Sequence, residues 1–242
     1  MIENERVTAR NLQEAVAEAG ARACAGRPTV LAVQDTTDLL FKRAYRTEGL
    51  GYINGYKTPG LLAHSTLAVG EDGAVLGLLS LDTWGRPAAA RGQKRSRERP
   101  FEQKESYKWL RAMERSRRVM ATLLEAQRPR LIHVADREGD VHEVFQAVVE
   151  SEDGCVLRST CKRQVATEAG GKAWAHEVVA AQPPLGEESI EVPRKHNQPA
   201  RRAVVELRAC RVRLEPSTKH CPQRRPIELN LLSVAERGAS SR

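Results

Sequence analysis

Two short apolar runs, each followed by an aspartate, decide the fold: VLAVQDTT at residues 30–37 and LIHVADREGD at residues 131–140. Such runs, unbroken and partly β-branched, are typical of central strands that are buried on both faces of a sheet. Asp35 and Asp136 follow the two runs at the point where each strand is predicted to end. We therefore expect neighbouring strands to deliver both carboxylates to one edge of the sheet.

The segments around these runs predict an α/β core. Residues 8–24 favour a helix that ends before Pro28, and the strands predicted at 61–69 and 75–81 flank an Asp72-Gly73 hairpin turn. A second helix is predicted from a shared apolar face and ends before Pro129. Its members are Trp109, Leu110, Met113, Met120, Leu123 and Leu124.

The chain after Asp136 predicts one more helix and one more strand of this core. Asp140 and Glu143 have capping-box spacing ahead of the helix, and residues 154–158 read as the strand. Beyond residue 160, strand-like pieces at 190–192, 203–214 and 227–234 indicate an antiparallel β region, appended to the core or inserted into it. The predicted organisation is a helical lead-in at 1–28, a core at 29–160 and a β-rich region at 161–242.

Composition limits the function classes. The chain has 242 residues, a net charge of +8 and a pI near 9.5, which favour a polyanionic partner such as DNA over an inert basic surface. No apolar run approaches the roughly 20 residues of a membrane span, so we expect no membrane partner. The five cysteines form no CxxC pair, which predicts free thiols in the cytoplasm. They are Cys24, Cys155, Cys161, Cys210 and Cys221.

Asp35 and Asp136 are candidate ligands for divalent metal, although for either one alone a turn or cap role is the common alternative. Hydrolysis or transfer of a phosphodiester by two Mg²⁺ ions requires hard oxygen ligands. Glu138 could add charge or water-mediated ligation, and His142 is a candidate support or a structural histidine. Arg137 would bind a phosphate or neutralise its acidic neighbours.

Other basic residues are candidates for DNA contact. Arg158, Lys162 and Arg163 follow a predicted strand near the same edge, where they could neutralise phosphates or form a solvated cluster. The loop at 49–57 ends at Lys57 and mixes glycine, aromatic and basic residues, which suits a substrate-contacting flap. An ordinary surface loop is the alternative.

Five segments carry a resemblance to a known family. They are VQDTT at 33–37, GLL at 77–79 with Trp84 and Arg86-Pro87, EQKESYKWL at 102–110, VADREGDVH at 134–142 and VLRS at 156–159. In this order, over about residues 5–235, the chain resembles the DDE transposases of the insertion-sequence-four group. The resemblance implies a ribonuclease H-like, retroviral-integrase-like core with a mixed sheet flanked by helices, interrupted by a β-rich insertion that is cut short here.

The resemblance also implies a function and a site. Such transposases cut and join DNA with two divalent ions, Mg²⁺ or Mn²⁺, and use no nucleotide cofactor. Asp35 and Asp136 would be the first two members of the metal-binding triad. Lys104, Lys108 and Arg158 would fall where the family approaches DNA.

The sequence departs from the family at the third carboxylate, which lies in a Tyr-x-x-Arg-x-x-x-Glu pattern that this chain lacks. The later glutamates are in the wrong context, namely Glu150, Glu177, Glu206, Glu228 and Glu236. Only about 30 residues precede Asp35, so the family's end-recognition domain is also expected to be missing. We therefore expect a core fragment, truncated at both ends, that does not cleave DNA alone.

Two other functions remain open at this point. One is a non-catalytic DNA-binding regulator that inhibits an intact transposase, its second partner. The other is a stand-alone metal nuclease that recruits one of the late glutamates.

Overall fold

The computed structural model describes residues 4, 7–41, 47–53, 58–87, 99–159, 163–167, 171–195, 198–216 and 224–238. The chain divides into two compact units, one ending at Arg158 and the other beginning at Ser159. The lead-in predicted at residues 1–28 belongs to the first unit. The basic segment RGQKRSR at residues 91–97 lies outside the described residues.

A six-stranded mixed sheet forms the centre of the first unit. Its strands are β1 Thr29–Leu40, β2 Gly51–Ile53, β3 Thr58–Val69, β4 Val75–Trp84, β5 Arg130–Ala135 and β6 Gly154–Leu157. β2 and β4 both pair antiparallel with β3, which pairs antiparallel with β1. β5 then pairs parallel with β1, and β6 parallel with β5. The unit is thus α/β with a mixed sheet, as the sequence predicts.

Three helices pack on this sheet: α1 Ala9–Cys24, α2 Tyr107–Met120 and α3 His142–Val149. The Thr8 side chain caps α1 by accepting from the Asn11 amide at 3.1 Å. α1 crosses β4 so closely that a Cβ on Gly20 would lie 2.4 Å from the Leu78 carbonyl oxygen. Only glycine fits there, and the contact lets the buried face of α1 reach the sheet.

The structure corrects three details of the sequence interpretation. Asp35 lies inside β1, because antiparallel pairing with β3 continues to Leu40 after parallel pairing with β5 has ended at Val33. α3 begins at His142, so its N-cap position is Val141 and not Asp140. α2 ends at Met120, so Leu124 is not on its apolar face and is 71% exposed.

The second unit is built on a five-stranded antiparallel sheet. Its elements are β7 Gln164–Ala166, β8 Lys172–Trp174, α4 Ala175–Ala180, β9 Gly186–Val192, β10 Arg201–Leu214 and β11 Ile227–Glu236. The sequence predicted the antiparallel β character but not α4, whose single short run of apolar residues gives little helical period.

Throughout the part of the chain that the structure describes, no helix is both long enough and apolar enough to cross a membrane.

Candidate metal centre

A polar cleft of about 290 Å³ opens in the first unit where the parallel pairing of β1 and β5 ends. It contains five carboxylates and two cations. The lining residues are Asp35, Thr36, Asp38, Leu62, Arg86, Glu105, Lys108, Asp136 and Glu138. The cleft therefore brings together the two aspartates that the sequence predicts as metal ligands.

Sheet register explains why Asp35 and Asp136 meet. Val33 is the parallel partner of Val134, and each aspartate lies two residues further along its own strand direction. Residues two apart on a strand point to the same face, so the two carboxylates leave the sheet on the same side. Both are exposed.

Backbone amides orient both carboxylates. The Thr36 amide donates to Asp35 Oδ1 at 2.8 Å, and the Glu138 amide donates to Asp136 Oδ1 at 2.8 Å. The second contact makes Asp136 the N-cap of the short 3₁₀ turn at 137–139. Among the described residues, the second oxygen of each carboxylate, Oδ2, accepts no hydrogen bond.

The two cations of the cleft are held by glutamates. Arg86 donates Nε and Nη2 to the two carboxylate oxygens of Glu105, at 2.9 and 2.6 Å. Lys108 donates Nζ to Glu138 Oε2 at 3.0 Å. Among the described residues, no cation pairs with Asp35, Asp38 or Asp136, so these three aspartates carry the unneutralised negative charge of the cleft.

Lys108 is an internal cation rather than a surface one. Its side chain is 5% exposed, while that of its partner Glu138 is 66% exposed. The ammonium lies 5.8 Å from the centroid of the Trp84 ring and 5.5 Å from that of Trp109. Aromatic faces attract a cation and replace part of its lost hydration. Lys108 therefore brings a fixed positive charge to the wall of the cleft.

The donor set fits a divalent ion that shares its coordination with substrate. Mg²⁺ is bound through one or two carboxylates, keeps several waters, and takes its remaining oxygens from substrate phosphates. Asp35 and Asp136 supply two such carboxylates. Within the described ranges no group of three or more acidic, histidine or cysteine side chains could hold a metal ion.

No model of a known protein family matches the sequence.

A buried histidine lies under this cleft. His64 of β3 is fully buried, and its Nδ1 is 2.8 Å from the Thr36 hydroxyl. Burial, together with the smaller effect of the positive charges of Lys108 and Arg111, lowers the pKa of His64 to about 4. His64 is therefore neutral at physiological pH.

The neutral state of His64 predicts a loss of stability in mild acid. The unfolded chain binds a proton at this histidine near pH 6.5, whereas the folded chain does so only near pH 4. Stability should fall as the pH drops through this window, by about 3 kcal/mol in all. Urea denaturation of the wild type and His64→Leu at several pH values would measure it. Equal pH dependence in the two proteins would refute the prediction.

The remaining predicted site residues of the first unit are not among the residues that line the cleft. Arg137 is exposed in the turn after Asp136. The amide of Arg158 donates to the Ala135 carbonyl at 3.1 Å, which places its backbone beside Asp136, with an exposed side chain. Lys104 is half-buried. His142 is buried at the start of α3.

The other three predicted DNA contacts lie outside the described residues or in the second unit. Lys57 and Lys162 lie outside the described residues. Arg163 belongs to the second unit and is half-buried there. Three of the late glutamates that could have served as a third ligand form ion pairs with arginines of that unit, namely Glu206, Glu228 and Glu236.

Sequence reasoning assigned no role to several residues of the cleft. Arg86 and Glu105 were part of the resemblance, and their ion pair across 19 residues is visible only in three dimensions. Asp38 lines the cleft from the same strand as Asp35, but the polar residues between them in the sequence do not indicate a cleft. His64 lies in an ordinary strand pattern, and no sequence signal distinguishes it from a core histidine.

Proposed function

We propose that the first unit is the ribonuclease H-like catalytic core of a DDE transposase of the insertion-sequence-four group. Asp35 and Asp136 are its first two metal ligands. One observation carries the proposal: two aspartates, predicted from separate sequence segments 101 residues apart, each lie two residues beyond the last parallel pair of β1 and β5 and line one cleft. The mixed sheet flanked by helices is the architecture that the resemblance implies.

The residues of the cleft suit phosphodiester chemistry. A divalent ion held there would activate a nucleophile and stabilise the leaving oxygen. Asp35 and Asp136 would bind the ion through Oδ2, because a backbone amide already donates a hydrogen bond to Oδ1 of each carboxylate. Lys108 offers a buried positive charge close to the acidic cleft, where it would attract a phosphate oxygen.

The charge distribution supports DNA as the partner. The second unit, 84 residues long, holds 15 Lys and Arg against 9 Asp and Glu, whereas the first holds 24 against 22. Most of the +8 charge thus belongs to the second unit. A basic surface of this kind binds the phosphate backbone without regard to sequence.

We assign the chain to the cytoplasm, in agreement with the free thiols of Cys24, Cys155 and Cys210.

We further propose that this chain alone does not cleave DNA. Two carboxylate ligands hold a two-metal site less firmly than three, and among the described residues no group of three acidic, histidine or cysteine side chains is placed so that it could hold a metal ion. A second candidate function follows from the same observation. A chain that binds DNA but does not cut it would act as a regulator that inhibits an intact transposase by competing for its DNA.

DNA binding and cleavage can be measured separately. In a gel-shift assay with Mg²⁺, we expect the chain to retard short duplexes at about 50 mM salt and to lose much of that affinity by about 200 mM. With supercoiled plasmid and Mg²⁺ or Mn²⁺, we expect no nicking.

The outcomes separate the two parts of the proposal. No DNA binding at low salt would contradict both candidate functions. Metal-dependent nicking that disappears in Asp35→Asn would support the metal centre and contradict the inactivity of the chain. Binding without inhibition of an intact transposase would argue against the regulatory candidate.

A further inference from the structure

His64 connects two residues that flank the metal ligand Asp35. Its Nε2 is 3.3 Å from Gln34 Oε1, an atom that only accepts, so Nε2 carries the hydrogen. Its Nδ1 then accepts from the Thr36 hydroxyl at 2.8 Å. Gln34 is 4% exposed, and His64 is fully buried. His64 thus holds β1 through side-chain hydrogen bonds to the residues before and after Asp35.

The His64 ring also packs against Trp109, which connects it to the turn after Asp136. The His64 and Trp109 rings meet edge to face, with centroids 4.6 Å apart and an interplanar angle of 82°. Trp109 lies against Gly139, where a Cβ would stand 3.6 Å from two of its ring atoms. The Gly139 amide donates to the Asp136 carbonyl at 3.0 Å. Packing contacts therefore run from the Asp35 segment to the Asp136 turn.

We propose that His64 is a positioning residue that sets the placement of Asp35 relative to Asp136 for binding of a divalent cation. The inference rests on the proposed metal centre and adds to it a residue that would contact neither the metal nor the substrate. Groups that orient metal ligands from behind contribute tenfold to hundredfold to metal affinity, although they make no bond to the metal.

A purely structural role is the competing explanation, and the chain offers a matched control for it. Thr66 is fully buried, on the same strand and face as His64, and its hydroxyl is 2.9 Å from the Ser80 hydroxyl. Thr66→Val removes a buried hydrogen bond without touching Thr36. The variant should destabilise the fold while leaving the aspartates in place.

Mn²⁺ binding, followed by the loss of the free-ion electron paramagnetic resonance signal, tests the proposal on the full chain. We expect His64→Leu to raise the Mn²⁺ dissociation constant about tenfold or more, after correction for the folded fraction. Thr36→Val should raise it too, since it removes the same hydrogen bond from the other partner. His64→Asn, whose side-chain oxygen can accept from Thr36, should recover most of the affinity. Thr66→Val should leave it unchanged.

The variants distinguish failure of the inference from failure of the metal centre. If wild type binds Mn²⁺ and Asp35→Asn abolishes binding, but His64→Leu and Thr36→Val bind like wild type, the positioning role is wrong and the metal centre stands. Equal weakening by Thr66→Val would also overturn it, because any loss of stability would then suffice. No Mn²⁺ binding by wild type would contradict the metal centre and the inference together.

Discussion

Replacing Asp153 by alanine is expected to lower the free energy of unfolding of the first unit by about 3 kcal/mol or more. Asp153 Oδ2 accepts from Arg117 Nε at 2.6 Å and lies 3.0 Å from His133 Nε2. The substitution would leave the half-buried Arg117 without its carboxylate partner, with hydrogen bonds only to the Ala147 carbonyl and the Ser151 hydroxyl. It would also remove a partner from His133, which is 1% exposed and whose Nδ1 has no partner among the described residues. This cluster joins α2 to the segment between α3 and β6.

Urea denaturation followed by tryptophan fluorescence would measure the effect, since two of the three tryptophans, Trp84 and Trp109, lie in the same unit. Glu18→Ala is the control, because Glu18 pairs with Arg22 at 3.7 Å on the exposed face of α1. Such a pair contributes little. Similar losses in the two variants would contradict a special role for the Asp153 cluster.

The Asp153 contribution has its own pH window. Burial raises the pKa of Asp153, but hydrogen bonds from His133 and Arg117 outweigh it and hold the pKa below its ordinary value of 3.8. Its stabilising effect is therefore present above pH 3.8 and is lost below it, as the folded carboxylate takes up a proton. The loss expected from His64 occurs at higher pH, so the two effects can be separated.

The second large effect is expected at the proposed metal centre. Asp35→Asn and Asp136→Asn each remove one of the two proposed charged ligands, so each should weaken Mn²⁺ binding beyond the tenfold to hundredfold that loss of a supporting residue causes. Calorimetric titration would measure the dissociation constants. Asp38→Asn is the matched control, since Asp38 lines the same cleft from the same strand. Equal weakening by all three would indicate a diffuse acidic surface instead of a site.

The location of Asp35 and Asp136 in one cleft could be predicted from the two unbroken apolar runs that precede them. Such runs form buried parallel strands, and when two such strands are adjacent, the residues that follow them lie at the same edge of the sheet. The continuation of β1 to Leu40 could not be predicted in this way, since residues 36–38 are polar and their strand conformation comes from pairing with β3. Tertiary pairing overrides local preference there.

The placement of Lys108 in the wall of the cleft also could not be predicted from the sequence. A lysine on a helix is usually solvated, and nothing local shows that Lys108 enters a gap between two tryptophans. Trp84 and Trp109 come from different elements, and only the packing of α2 on β4 brings both to this ammonium. The pairing of Arg86 with Glu105 depends on the same packing.

The most direct test of the account is the effect of Mn²⁺ on DNA affinity. If Asp35 and Asp136 hold an ion that also binds a phosphate, metal and DNA must strengthen each other's binding. Fluorescence anisotropy of a labelled duplex, with and without Mn²⁺ at constant ionic strength, should show tighter binding with the metal for wild type and for Asp38→Asn. Asp35→Asn and Asp136→Asn should show no such gain. A wild type that binds DNA equally well with and without Mn²⁺ would contradict the account.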